Sequence, residues 1–182
     1  MKSLVVIING KPHSGKDKFV ELCSKYTTVK NVSSIDLVRE AFRIMNYIKK
    51  DDELAKNEVT RRAMSMMKTM SVELSEAPFR YCRDEIVRFV EKHTGIIFIH
   101  VREAKEIDKL VEFIDSYKEN HPDVPFDSLK LCIESENSED VDNPSDLDVE
   151  NTKYDLVIQN PGTEAPFEEI AQAFVEEQMS SF

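Results

Sequence analysis

A chain of 182 residues with 41% hydrophobic content can bury a full core, which argues against disorder and for one domain carrying an inserted subdomain or lid. A net charge of −11 argues against a nucleic-acid backbone or an anionic membrane as the main partner, and no apolar run approaches a membrane span. Cys23, Cys82 and Cys132 are far apart and form no Cys-x-x-Cys pair, so buried, reduced thiols and a cytoplasmic location are expected.

Leu4-Val5-Val6-Ile7-Ile8 is apolar without alternation, the pattern of a central parallel strand covered on both faces. Gly10-Lys11-Pro12-His13-Ser14-Gly15-Lys16-Asp17 follows it and opens a helix over about 15–26 that buries Phe19, Val20, Leu22 and Cys23. Strand, loop and helix together match the Walker A phosphate-binding loop G-x-x-x-x-G-K-[S/T], with Asp17 in the last place. Glycines let successive backbone N–H groups curl around phosphate oxygens, and the helix points its positive dipole end at them. Lys16 adds a mobile cation for β- and γ-phosphates, and Asp17 offers Mg²⁺ a carboxylate, directly or through water. At His13 the backbone N–H matters more than the imidazole. The loop is expected to bind a nucleotide.

A second strand is expected over 27–32, followed by a helix start with Ser33 or Ser34 as cap and Asp36 in the first turn. Leu37, Val38, Ala41, Phe42 and Met45 give that helix an apolar face, while Arg39 and Arg43 share another. From 53 to about 74, Val59, Ala63, Met66, Met67, Met70 and Leu74 recur at helical spacing. Core filling is the expected role of these methionines, with an adaptable exposed surface as the alternative. Pro78 starts a further helix, with Tyr81, Cys82, Ile86, Phe89 and Val90 as its apolar side, ending near His93 before Gly95. Three helices between two strands exceed what one crossover needs, so a helical insert over about 34–93 is expected.

Strands follow at 96–101, 129–133 and 154–158, with a helix on Ala104, Ile107, Leu110, Val111 and Ile114 between the first two. The segment 134–150 holds eight carboxylates and neither Lys nor Arg, which marks an acidic loop of about 134–152 in the position of a lid. A last helix buries Phe167, Ile170, Ala171 and Phe174. Alternating strands and helices predict a three-layer α/β fold on a five-stranded parallel sheet, with ligands at the carboxyl ends of the strands. The Gly10 loop, Arg102-Glu103 and the acidic loop converge on that edge.

The loop Gly10-x-x-x-Ser14-Gly15-Lys16-Asp17, the segment Asp142-Asn143-x-x-Asp146 and the run Tyr154-Asp155-Leu156-Val157-Ile158-x-Asn160-x-Gly162 resemble those of P-loop kinases of the nucleoside-monophosphate-kinase superfamily. Within it, the loop form with Asp17 in the last place is similar to that of phage-type deoxynucleoside monophosphate kinases and animal-type phosphomevalonate kinases. The resemblance implies a single P-loop kinase domain over 1–182 that uses ATP and Mg²⁺ and takes a small phosphorylated acceptor. It implies catalytic roles for Lys16 and Arg102, acceptor binding by Ser34, Arg39 and Arg102, and further acceptor candidates in Arg43, Arg61 and Arg62. Glu103, or His100, would order Mg²⁺ beside Asp17. Such kinases close an arginine-bearing lid over the transferring group, and the arginine-free acidic loop departs from that pattern. Two functions therefore stay open: a phosphotransferase on a (deoxy)nucleoside monophosphate, with a phosphomevalonate-like acceptor behind it, and a nucleotide-binding regulator without transfer activity. The sequence leaves the oligomeric state open.

Overall fold

The computed structural model describes residues 3–49, 52–54, 57–136, 138, 149 and 152–180. The first strand, β1, is Ser3–Asn9 and is buried at all seven positions, as its unbroken apolar run requires. Helix α1 (Lys16–Cys23) follows the glycine loop, and β2 is Val29–Ser33. Helices α2 (Asp36–Met45), α3 (Glu58–Ser75) and α4 (Ala77–Lys92) then precede β3 (Gly95–His100). Helix α5 (Ala104–Asn120), β4 (Phe126–Glu134), β5 (Leu156–Gln159) and α6 (Glu164–Ser180) complete the chain.

All strand pairs are parallel, in the order β2-β3-β1-β4-β5. Successive side chains of a strand point to opposite faces, and β1 divides accordingly. Leu4, Val6 and Ile8 pack with Phe19 and Leu22 of α1 and with Phe167, Ala171 and Phe174 of α6. Val5 and Ile7 pack with Cys82, Ile86 and Phe89 of α4 and with Ile107, Leu110 and Ile114 of α5. Two helical layers therefore sandwich the sheet, and each layer contributes its own aromatic cluster. On the first face, Phe19 stands at the centre, with ring centroids of Phe167 and Phe174 at 5.5 and 5.4 Å. A parallel sheet of this order with a glycine loop between β1 and α1 is a three-layer P-loop NTPase fold. The expected fold class is the one found.

The region between β2 and β3 divides by packing. Helix α4 belongs to the core layer, whereas α2 buries only Val38 and α3 buries no residue. The core-filling role expected for the methionines of α3 is corrected here: Val59, Met66, Met70 and Leu74 are 77, 59, 57 and 80% exposed. Helical periodicity identifies an apolar stripe but not what it faces. Helix α3 starts at Glu58 rather than 53, because the Asn57 side chain accepts from the N–H of Thr60 at 2.9 Å and fixes the start there. Nor does Ser33 or Ser34 cap α2: the carboxylate of Asp36 reaches back to accept from the N–H of Ser33 at 2.7 Å. The three cysteines are free and buried, and burial pushes the Cys23 and Cys82 thiols up to about 12. No helix among the described residues is long and apolar enough to cross a membrane.

Candidate functional site

The loop Gly10 to Asp17 sits at the carboxyl end of β1, and its shape depends on two glycines. Gly10 has φ 143°, and a Cβ there would lie 2.3 Å from the carbonyl oxygen of Ile133 on the neighbouring strand. Gly15 has φ 95°, and a Cβ there would lie 2.3 Å from Nδ2 of Asn160. Between them, His13 also adopts positive φ, 62°, so the chain curls tightly before α1 begins. The Lys16 ammonium folds back over this curl, donating to the carbonyl oxygens of Gly10 (2.6 Å) and Lys11 (2.7 Å) and to Ser14 Oγ (3.3 Å).

Three residues that the sequence reading did not assign to the site hold the loop from outside. Asn9 Oδ1 accepts from the N–H of Gly10 at 2.8 Å, while its Nδ2 donates to Tyr154 Oη at 2.9 Å. Tyr154 in turn donates to the carbonyl of Val149 at 3.1 Å. Asn160 Nδ2 donates to the carbonyl of Ser14 at 3.0 Å, and its Oδ1 accepts from the N–H of Gly162, also at 3.0 Å. The available signal was a polar Asn9 closing an otherwise apolar strand, and the Tyr154 and Asn160 positions of the run after the acidic segment.

A cleft of about 510 Å³ opens beside the loop, at the carboxyl ends of β1, β2 and β3 and under α2 and α3. Lys16, Asp17, Ser34, Arg39, Arg61, Arg102 and Glu103 all line it. Arg43 does not: its guanidinium donates to the carbonyls of Lys49 (2.7 Å) and Asp52 (2.6 Å), tying down the connector after α2. Arg62 is exposed and lies outside the cleft. Of the cleft arginines, Arg39 pairs with Asp36 at 2.9 Å, whereas Arg61 and Arg102 have no ion-pair partner among the described residues. A smaller cavity of about 280 Å³ lies on the β4–β5 side of the loop, lined by Lys11, Ser14, Glu134 and Gln159 among others. The two spaces flank the glycine loop. The acidic lid-like segment of about 134–152 lies largely outside the described residues.

Two partly buried groups, each with one buried polar atom, define the floor of the cleft. His100 ends β3, with Nδ1 3.9 Å from Asp17 Oδ1 and Nε2 without a hydrogen-bond partner among the described residues. Burial drives its pKa down to about 4, Lys16 and Arg39 push the same way, and Asp17 and Asp36 only partly oppose them. The imidazole is therefore neutral near pH 7. Glu103 pairs through Oε1 with Lys68 Nζ, which also lines the cleft, and leaves Oε2 unpartnered. Burial pushes its carboxyl up, but the Lys68 ammonium and backbone N–H donors outweigh that, and the net shift is downward.

No group of three or more His, Cys, Asp or Glu side chains forms a metal cage among the described residues. Mg²⁺ needs none, since it is held by one or two carboxylates together with substrate phosphates and water. Asp17, whose carboxylate is 92% exposed in the cleft, and Glu103, with its unpartnered buried oxygen, suit that mode of binding.

No protein-family model matches the chain, and no curated protein sequence does. Among solved structures, it is similar to a provisionally assigned kinase from Chloroflexus aurantiacus j-10-fl, at 14% identity and a TM-score of 0.49 over 100% of this chain and 98% of the other. A sugar kinase from Janibacter sp. HTCC2649 aligns at 13% identity and a TM-score of 0.46, over 99% of this chain and 95% of that one. The APS kinase of Mycobacterium tuberculosis aligns at 14% and 0.37, over 96% of each chain. With each of these TM-scores below 0.5, the fold assignment stands on the strand order and the loop geometry, and nothing about the acceptor follows from these likenesses.

Proposed function

We propose that the protein is an ATP-dependent phosphotransferase acting on a small phosphorylated acceptor and releasing ADP and the diphosphate. A nucleoside or deoxynucleoside monophosphate is the leading acceptor, with a phosphomevalonate-like molecule behind it. The observation that carries this reading is one cleft in which Lys16 of the glycine loop faces two guanidinium groups, Arg61 and Arg102, that no carboxylate among the described residues neutralises. Unpaired arginines in a concave site call for a phosphate or carboxylate ligand.

In this reading the phosphates of ATP lie in the loop, its nucleoside end faces the smaller cavity beside Lys11 and Glu134, and the acceptor occupies the larger cleft. Arg102 and Arg61 grip the acceptor's phosphate, while Arg39 and Ser34 stand at the same wall. Lys16 leaves the carbonyls of Gly10 and Lys11 to meet the transferring group. Phosphoryl transfer needs alignment and charge neutralisation more than a base, and a phosphate acceptor is already ionised at pH 7. A neutral His100 is compatible with that. Mg²⁺, when bound, would neutralise charge on the β- and γ-phosphates, with Asp17 and Glu103 as the residues to hold it, directly or through water. The helical region of about 34–93 contributes the acceptor wall within a single kinase domain.

A coupled ADP-release assay with Mg·ATP against nucleoside and deoxynucleoside monophosphates and phosphomevalonate tests this. Turnover with one acceptor class is expected, and Lys16→Ala should abolish it. Unchanged turnover in that variant refutes the mechanism. The arginine-free segment 134–150 favours one rival reading, a nucleotide-binding regulator. That reading requires Mg²⁺-dependent ATP binding with no ADP release on any acceptor.

A further inference from the structure

We infer that the outward face of α3 pairs antiparallel with the same face of a second copy of this chain. The helix buries none of its residues, yet it carries the largest set of exposed apolar side chains on any one helix among the described residues: Val59, Met66, Met70 and Leu74. Taking Met66 as reference, at about 100° per residue, Val59, Ala63 and Met70 lie within about 60° of it on one side, and Leu74 at about 80°. Arg62 and Glu73 lie together on the other side, within about 40°. The spacing of four, three, four and four residues follows the 3.6-residue turn closely enough to keep these side chains on one helix face. From Val59 to Leu74 the stripe is about 22 Å long.

This stripe is its own complement. In a two-fold pair, residue i meets residue j while j meets i. An axis beside Met66 sets Val59 against the partner's Leu74 and Ala63 against the partner's Met70, a small side chain opposite a long one. On the same flank of that antiparallel pair, Arg62 comes within about 3 Å along the helix of the level of the partner's Glu73, within reach of both long side chains. Neither residue has an ion-pair partner among the described residues of its own chain. A parallel two-fold pair would instead put Arg62 and Glu73 of one copy on one flank and the partner's copies on the other, so this pairing of opposite charges favours the antiparallel arrangement. The opposite face of α3 carries Arg61, Met64 and Lys68 at the wall of the cleft, so pairing leaves both clefts open and backs each with the partner's helix. The inference depends on the helix surface and not on what the cleft binds.

Sedimentation velocity over a concentration series tests it. The full chain should sediment as a dimer, and Met66→Glu, which puts two carboxylates at the axis, should weaken association by more than about a hundredfold. Circular dichroism and a melting curve check that this variant is folded. Arg62→Glu and Glu73→Arg should each weaken the dimer, and the two together should restore it. Met66→Cys should give a disulfide-linked dimer on mild oxidation, since the native thiols are buried, while Ser75→Cys on the opposite face should not. A wild-type chain that stays monomeric at every concentration, a dimer indifferent to Met66→Glu, or a double charge swap that fails to restore pairing each overturns the inference.

Discussion

Replacing Asn160 by aspartate changes one atom's chemistry at the rim of the glycine loop and leaves the shape alone. In the native protein Nδ2 donates to the carbonyl of Ser14 at 3.0 Å, and Ser14 is fully buried. The substituted carboxylate offers no donor, so the carbonyl is left unsatisfied and faces a negative charge, a loss of about 2–3 kcal/mol. For a domain of this size that lowers Tm by roughly 4–12 °C. Nucleotide affinity should suffer separately. At a separation of about 7 Å and an effective dielectric constant of about 20, the new charge opposes each unit of phosphate charge by about 2 kcal/mol before salt screening. That is about thirtyfold in dissociation constant. Asn160→Ala separates the two effects: it should melt early as well, but lose much less affinity. Calorimetric titration with ATP and Mg²⁺, beside melting curves with and without nucleotide, reads both. An Asn160→Asp variant that binds ATP within about threefold of wild type would refute the placement of phosphate in this loop.

The arginines give a contrast within one pair of variants. Arg102→Ala should raise the acceptor KM by about 10- to 100-fold with the ATP KM unchanged, whereas Arg43→Ala should leave both KM values alone and cost about 1 kcal/mol in urea denaturation through its lost carbonyl contacts. A change in acceptor KM on Arg43→Ala would overturn that division. The pH dependence follows from His100, whose folded-state pKa of about 4 lies below its usual 6.5. Between those values the unfolded chain binds the extra proton, so stability falls as the pH drops from about 6.5 towards 4, by at most about 3 kcal/mol. His100→Gln should flatten that part of the profile in urea denaturation at pH 7 and pH 4.5; an unchanged slope would show that the imidazole is not the group responsible.

Much of the frame was legible in the sequence because its signals are local. A short, β-branched apolar run ending at a glycine loop reads as a strand covered on both sides, and Phe19, Val20, Leu22 and Cys23 bury the face of α1 that their spacing predicts. The glycine loop was legible for a similar reason, since Gly10 and Gly15 stand where a Cβ would strike Ile133 and Asn160. What escaped was set by rotation and by distance along the chain. The stripe on α3 has the periodicity of a core helix, but the helix is turned so that Met64 and Lys68 face the cleft while Met66 and Met70 face outward. Arg39 and Arg43 are one turn apart and look equivalent in sequence, yet one lines the cleft and the other caps a connector. Asn9, Tyr154 and Asn160 meet the loop across separations of up to 146 residues, which no local pattern can encode.

One wall of the cleft is built from a helix with no fully buried side chain. Proteins open locally in cooperative units whose free energies range from near zero to that of global unfolding, and units with few buried contacts lie at the low end. At concentrations where the chain is monomeric, amide hydrogens of α3 should therefore exchange with deuterium well before those of β1, β3 or α1, through openings that leave the sheet intact. A ligand that touches Arg61 and Lys68 must hold this helix closed as well as fill the space beneath it. Part of its intrinsic binding energy is then spent on ordering, so measured affinity understates the contacts made. Exchange protection along α3 would report occupancy of the cleft even where no reaction takes place.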